Sequence, residues 1–454
     1  VKIERIKIIG GGLAGPEAAL QAARHTGHLP QLRIELYEMR PQRSTEAHQT
    51  GDFAELVCSN SLKSESENTA PWLLKQEMRR AGSFLIAAAD ATSVPAGHAL
   101  AVDRAAFSAR VAERIAAEPR ISVHREEVTS LPGADEPCIT VLATGPLTSP
   151  ALAEVIEQIT GSGHLAFYDS ISPIVAADTI NMDRVYYAAR WEKGTADYIN
   201  CPFTREEYDR FLDALLTAEA AEHKEWEKLN YFEGCLPIEE IARRGRDTLR
   251  FGPMKPVGLR DPRTGQNAYA VVQLRRENLR ADSWNLVGFQ NHLKFGEQAR
   301  ILRLIPGLEN ASFLRYGQVH RNTYLNAPAV LAPTLQLHAH PRLLVAGQLS
   351  GVEGYTESIA SGMLAGRFAA ALAMGRTPEP APRHSAHGSL TYYITHAEKK
   401  HFQPANITFD LLPPLEEDLR KKIRDKRERH RIQCERGLEA FNNWLAEEDA
   451  AQLQ

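Results

Sequence analysis

The sequence predicts an α/β protein built on a parallel sheet, with a smaller α+β domain inserted into it. Three observations carry that expectation: a strand, glycine turn, helix and strand at the amino terminus, a second strand, glycine turn and helix near residue 341, and a shift of composition between them. At 454 residues the chain is long enough for about three domains, so it can bury cores without disulfides or metals. Its 43% hydrophobic and 24% charged residues are those of a folded, water-soluble protein. Lys and Arg total 53 against 57 Asp and Glu, a net charge of -4. That balance supplies no global attraction to a polyanion, so contact with nucleic acid requires a local patch.

In chain order, IKII at 6–9 forms the first strand, GGGLAG the turn, and an alanine-rich stretch through about residue 25 the helix. Leu32, Ile34 and Leu36 then recur at a period of two, which suits a strand. Residues 73–90 and 105–118 read as helices, and ITVLATG at 139–145 as a short buried strand ending in a glycine turn. From about 166 to 309 aromatics gather in FYDS, VYYAARW and WEKLNYFEGC, with a polar helix around 205–230. PRLLVAGQLSG and TESIASGMLAGRFAAALAMG then return to strand, turn and small-residue helix. The expected organisation is a Rossmann-like dinucleotide-binding domain in two parts, 1–165 and 310–376, an insert at 166–309, and a tail with a basic helix at 377–454.

Gly10, Gly12 and Gly15 occupy a GxGxxG frame directly after a strand and before a helix, the context that motif requires. The first glycine permits the turn, the second admits a diphosphate to the backbone, and the third lets helix and strand pack closely. The amides from Gly10 through Gly11, Leu13 and Ala14 then face the phosphates at the positive end of the helix, and Pro16 suits its first turn. Glu38 follows the second strand, 23 positions after Gly15, where a carboxylate accepts ribose hydroxyls and repels a 2'-phosphate. This favours FAD or NAD over NADP. Gly145, Gly347, Gly351 and Gly354, with small residues at Ser358, Ala360, Ser361, Gly362 and Ala365, either admit an extended ligand such as a flavin dinucleotide or serve helix packing. No second GxGxxG occurs, so a resident nicotinamide domain is unsupported.

The five cysteines, Cys58, Cys138, Cys201, Cys235 and Cys434, are odd in number, far apart and without a CxxC pair. They read as thiols in a reducing compartment, and no metal site is expected. The glycine-rich amino terminus is unlike a secretory leader or membrane anchor, so a cytoplasmic location is expected. Cys58 ends an apolar run and abuts Ser59, Asn60 and Ser61, of which Asn60 and Ser61 could donate to a flavin edge or an oxyanion. Cys235, between Gly234 and Pro237 and before Glu239 and Glu240, would have its thiolate stabilised at a helix start. Each is a functional candidate or a half-buried structural cysteine, while the other three read as structural. Lys255, Arg275, Gln290, His292, Lys294, His320, Arg321, Asn322 and Tyr324 lie in polar, aromatic stretches that could line a site for a flat, anionic ligand. RKKIRDKRERHR at 420–431 sets eight Lys or Arg against two acids, either a phosphate-binding surface or a solvated helix.

Taken together, GGGLAGPEAA, LYEMRP, FAELVCSNSLKSE, FGPMKPVGL, HRNTYLNAP and AGQLSGVEGYTESIASG resemble the folate- and FAD-dependent tRNA (uracil-5-)-methyltransferases. The resemblance runs from about residue 4 to 376 and more loosely through the tail. It implies a glutathione-reductase-like FAD domain and an enzyme that moves a one-carbon unit from 5,10-methylenetetrahydrofolate to C5 of uridine 54 in the tRNA T loop. Reduced FAD would supply the electrons and diffusible NADH or NADPH would recharge it. It matches Gly10, Gly12 and Gly15 to the FAD loop, Glu38 to the acid after the second strand, and Cys58 and Cys235 to two cysteines implicated in catalysis. Partners are then tRNA and folate, with no membrane, for a monomer or weak homodimer. The alternatives are a related wobble-uridine enzyme of the MnmG type, for which the chain is short, and an NAD(P)H-dependent flavin oxidoreductase acting on a small molecule.

Overall fold

The computed structural model describes residues 2–161, 165–220 and 236–452. Its amino-terminal pattern folds as expected into β1 (Arg5–Ile9), α1 (Ala14–His25) and β2 (Arg33–Tyr37). Six strands form one sheet in the order Gln336–Leu337, His340–Val345, Cys138–Leu142, β1, β2 and Ile121–His124. All neighbours run parallel except the short antiparallel edge strand Gln336–Leu337. Register puts Ile6 beside Ile34 and Ile139, and Ile8 beside Leu36 and Val141. Every residue of Cys138–Leu142 is buried, as a strand covered on both faces must be.

α1 packs along the 19-residue helix Tyr355–Ala373. A Cβ added at Gly362 would stand 2.4 Å from the Ala14 carbonyl oxygen, and one at Gly366 equally near that of Ala18. These small residues therefore bring two helix backbones together.

The stretch expected as one helix over 73–90 is broken into Ala70–Arg80 and Phe84–Ala91, with Gly82 at φ +70° between them. A three-stranded sheet of Ser61–Ser64, Ala99–Val102 and Ser93–Val94 lies in the same part of the chain.

A second sheet is antiparallel throughout, in the order Tyr186–Ala188, Tyr198–Phe203, Ala270–Arg276, Ser283–Leu286, Ile174–Ala176 and Phe313–Arg315. It therefore extends past residue 309. Its separate core contains Trp284, Phe203 and Phe289. Helix Arg205–Leu216 adds Tyr208, Phe211, Leu212 and Leu215, spaced i, i+3, i+4 and i+7 along one face. Thr204 and Glu207 form a reciprocal capping box at its start, a device that contributes about 1 kcal/mol. The helix ends at Leu216, short of the expected 230, and residues 221–235 lie outside the described residues. Strands Leu165–Ser170 and Val319–Tyr324 pair antiparallel where the chain leaves and rejoins the first unit.

The carboxyl-terminal segment is more than a tail. Helix Lys426–Gln452 places Cys434, Leu438, Phe441 and Trp444 in the core of the parallel sheet. The buried Glu77 carboxylate accepts from the amides of Ala386 (2.7 Å) and His387 (3.0 Å) and meets His387 Nδ1 at 2.7 Å. It thereby ties helix Ala386–His396 to Ala70–Arg80. No helix among the described residues is long and apolar enough to cross a membrane.

Candidate active site

A cleft opens at the carboxyl ends of β1, β2 and Cys138–Leu142, the end at which open parallel sheets bind ligands. The three motif glycines do different work around it. A Cβ at Gly10 (φ +115°) would lie 2.2 Å from the Ala143 oxygen, and one at Gly15 would lie 1.8 Å from the Gly10 oxygen. A Cβ at Gly12 would meet nothing within 4 Å. Gly10 and Gly15 thus let backbone meet backbone, while Gly12 leaves the cleft floor open. Among the described residues no side chain caps the start of α1. Gly12, Leu13 and Ala14 line the cleft there, so their amides can serve a diphosphate. Gly145 (φ +66°, open space at its Cβ position) and Gly347 also line it.

Glu38 is buried beneath the glycine turn. Its Oε2 accepts from the Gly11 amide (2.8 Å) and Arg40 Nη2 (3.2 Å). Its Oε1 accepts from the Arg40 amide (2.8 Å) and Nε (3.0 Å). Burial raises its pKa, but the bonds and charge of Arg40 outweigh that and hold the carboxyl below its ordinary range. A ribose hydroxyl would reach this carboxylate in competition with Arg40. Gly11 differs from the phosphate donor expected of it, because its N–H is spent on Glu38 and its carbonyl accepts from Ala54 N (2.9 Å).

Cys58 stands on the wall of the same cleft. The hydroxyl of the half-buried Tyr355 accepts from the amides of Cys58 (2.7 Å) and Ser59 (3.3 Å) and donates to Cys58 Sγ (3.4 Å). Burial and the neighbouring thiol push the Tyr355 pKa well above its ordinary value, so it remains a proton donor. Two guanidiniums hold the chain just before the cysteine. Arg104 Nη1 donates to the carbonyls of Leu56 (2.7 Å) and Val57 (3.2 Å), and Arg315 Nη1 to that of Val57 (3.0 Å). Arg104 also pairs with Glu277 of the antiparallel sheet at 2.7 Å. Both guanidiniums interact favourably with a Cys58 thiolate, the setting that makes a cysteine reactive. Asn322 lines the cleft almost wholly buried, with an Oδ1 that meets no donor among the described residues.

The sequence matches the family described as "Glucose inhibited division protein A" (GIDA) over residues 5–377. A Koribacter versatilis protein named "Methylenetetrahydrofolate--tRNA-(uracil-5-)-methyltransferase TrmFO" is 67% identical, with 97% of this chain and 98% of that one aligned. Proteins of the same name from Solibacter usitatus and Enterococcus faecalis are 60% and 52% identical, over 97% and 96% of this chain and 98% and 97% of theirs. The chain belongs to the TrmFO family. Among solved structures, Aquifex aeolicus GidA superposes with a TM-score of 0.70 at 16% identity, covering 98% of this chain and 76% of that one, which shows the shared flavoprotein-type α/β fold.

Several expected site residues of this TrmFO chain do other work. Asn60 is fully buried, with Nδ2 donating to the carbonyls of Val102 (3.0 Å) and Arg276 (2.9 Å) and Oδ1 accepting from Arg275 Nε (2.9 Å). It fastens the Cys58 loop to the antiparallel sheet and has no group left for a flavin. Ser61 is likewise structural: its amide donates to Ser59 Oγ (3.0 Å) and its hydroxyl accepts from the Lys63 amide (3.2 Å). Gly354 (φ +110°) gives close approach to Lys63 and Glu357 and does not line the cleft.

Of the nine residues in the polar stretches, Asn322 lines the cleft and Arg275 steadies the Cys58 loop through Asn60 and Ser59. Five have separate roles: Lys294 pairs with Glu219 (2.7 Å), the His292 amide donates to Glu239 (2.6 Å), the Tyr324 hydroxyl donates to the Phe402 carbonyl (3.3 Å), and the carbonyls of Lys255 and Gln290 accept from Arg190 Nη2 (3.1 Å) and the Ile238 amide (2.8 Å). The side chains of His320 and Arg321, and all of Cys235, lie outside the described residues. Cys138, Cys201 and Cys434 are buried, and burial pushes the Cys434 thiol up to about 12 and that of Cys201 higher, as suits structural cysteines. Among the described residues no cluster of three or more His, Cys, Asp or Glu could hold a metal.

Proposed function

We propose that this chain transfers a methylene carbon from 5,10-methylenetetrahydrofolate to C5 of uridine 54 in the tRNA T loop and reduces it to methyl, giving 5-methyluridine. The observation that carries the reading is Cys58, held by Tyr355 beside two partly buried guanidiniums on the wall of a dinucleotide cleft. FAD, when bound, supplies the one-carbon and hydride chemistry, and NADH or NADPH recharges it as a diffusible substrate. The amides of Gly12, Leu13 and Ala14 hold its diphosphate, Glu38 faces its ribose, and Gly145 and Gly347 leave room for its length.

Uracil C5 is a weak carbon nucleophile until a group adds at C6, so one thiolate must attack there. That role falls to Cys235. The proton at C5 must then leave, and Cys58, with its thiolate favoured by Arg104 and Arg315, takes it and allows Cys235 to depart. In this reading the unit built on the parallel sheet holds FAD, and the insert, which runs from about 166 through the strand Phe313–Arg315, faces folate and RNA in a cytoplasmic enzyme. The test incubates purified protein with FAD, NADPH, methylenetetrahydrofolate and an unmodified tRNA transcript. Formation of 5-methyluridine at position 54, lost in Cys235→Ala together with any covalent RNA adduct, is the expected result. NADPH oxidation indifferent to tRNA and folate would replace this reading with that of a small-molecule flavin oxidoreductase.

A further inference from the structure

An overall charge of -4 repels a polyanion, so an enzyme of tRNA must concentrate cations somewhere on its surface. The carboxyl-terminal segment does so in a defined shape. The stretch carrying Phe409, the short helix Glu417–Lys422 and the first turns of Lys426–Gln452 meet around a concavity lined by Arg420, Lys426, Arg429 and His430, with Asp410 as an opposing carboxylate. Lys426, Arg429 and His430 stand at i, i+3 and i+4, on one helical face. His430 stacks on Phe409 with ring centroids 3.7 Å apart, which fixes the wall between them.

The pairing of these cations separates them from their neighbours. Lys421 and Arg431, beside them in sequence, are bonded to Glu417 and to Glu428 and Glu435. Among the described residues, Arg420, Lys426 and Arg429 make no ion pair, and Arg429 Nε is shielded from solvent without an acceptor. Burial, and to a lesser degree the charges of Lys426 and Arg429, hold the His430 imidazole below its ordinary range.

The same stretch is anchored to the active-site loop. Ala405 exchanges backbone bonds with Gly351 (3.1 Å) and Glu353 (2.9 Å), and Asn406 Oδ1 accepts from Lys63 Nζ (2.6 Å) beside Glu357. Tyr355, which holds Cys58, lies between those two glutamates in sequence.

We propose that this hollow of Arg420, Lys426 and Arg429 seats phosphates of the tRNA backbone while the T loop is presented to the cleft. The assignment rests on the tRNA methylation proposed above and names the surface that holds the RNA. Lys and guanidinium groups without a carboxylate partner are the donors that phosphodiester oxygens require.

The test uses the full-length, FAD-loaded protein and its R420A/K426A/R429A variant. Binding of an unmodified tRNA transcript is titrated over a series of KCl concentrations. The variant is expected to bind about 10- to 100-fold more weakly near 0.1 M salt, with a log–log salt dependence shallower by about 2. Flavin content and tRNA-independent NADPH oxidation should be unchanged. Lys421→Ala, which removes an already paired charge, should bind like the parent, and Lys426→Glu alone should weaken binding more than Lys426→Ala. Unchanged affinity and salt slope in the triple variant would overturn the assignment. So would loss of its binding to phosphatidylglycerol vesicles with tRNA binding intact. Failure of the parent protein to form 5-methyluridine would instead sink the functional reading.

Discussion

The two ends of the cleft are built in opposite ways. The dinucleotide end comes from one contiguous run, β1, the glycine turn, α1 and β2, closed by Glu38. The end at Cys58 is assembled from segments around Arg104, Arg315, Asn322 and Tyr355, far apart in sequence. The first is made largely of backbone, where glycines decide what fits. The second is made of side chains whose mutual placement depends on two sheets meeting correctly.

Substitutions at the dinucleotide end should divide by geometry, and the largest effect is expected there. Gly15→Ala would drive a Cβ into the Gly10 carbonyl, costing about 3 kcal/mol or more and the bound flavin. Gly12→Ala meets open space, so its melting temperature should stay near the parent's while flavin affinity falls. Thermal melting and retained flavin absorbance check both, and equal destabilisation by the two would break the distinction drawn between these glycines.

At the other end, Cys58→Ala should lower 5-methyluridine formation by at least about 100-fold with little change in melting, since the half-buried thiol fills no core. Collapse of the fold instead would make the cysteine structural. A smaller effect is expected from Arg315→Gln. Removing a cation that favours the Cys58 thiolate raises the thiol pKa, so the acidic limb of the kcat/KM profile should move to higher pH. An unmoved limb would disconnect Arg315 from the titration of Cys58.

The smallest effect concerns Glu38, whose pKa is depressed in the folded chain by Arg40 despite burial. A depressed carboxylate stabilises the fold above its unfolded pKa, and that contribution is lost as pH falls through the folded value. Melting temperature should therefore fall on acidification below the ordinary carboxylate range, and Glu38→Gln should flatten that fall. A variant with the parent's acid dependence would show that Glu38 is not the group responsible.

The same contrast explains what could be read in the sequence. Gly10, Gly12, Gly15 and Glu38 were legible because a strand, turn, helix and strand fix their relative positions locally. Cys58 stood out through its polar neighbours, but the reason those neighbours are polar was hidden. Asn60 and Ser59 bind Arg275 across the seam to the antiparallel sheet, a contact spanning more than two hundred residues. Arg104 and Arg315 carry no local signature, since an arginine in a helix or strand reads as surface until its carbonyl partners are known. Tyr355 sat one position after a flagged glycine, and only the hydrogen bonds of its hydroxyl reveal its role. The basic run at 420–431 was visible as charge, whereas its sorting into paired and unpaired cations required the fold.

The central claim is that FAD occupies the cleft that Cys58 lines, and an experimental structure of the flavin-loaded protein tests it most directly. The account predicts the diphosphate over the amides of Gly12 to Ala14 and the isoalloxazine in van der Waals contact with the Cys58 sulfur. A flavin bound with its ring turned away from Cys58, or in another part of the molecule, would contradict it.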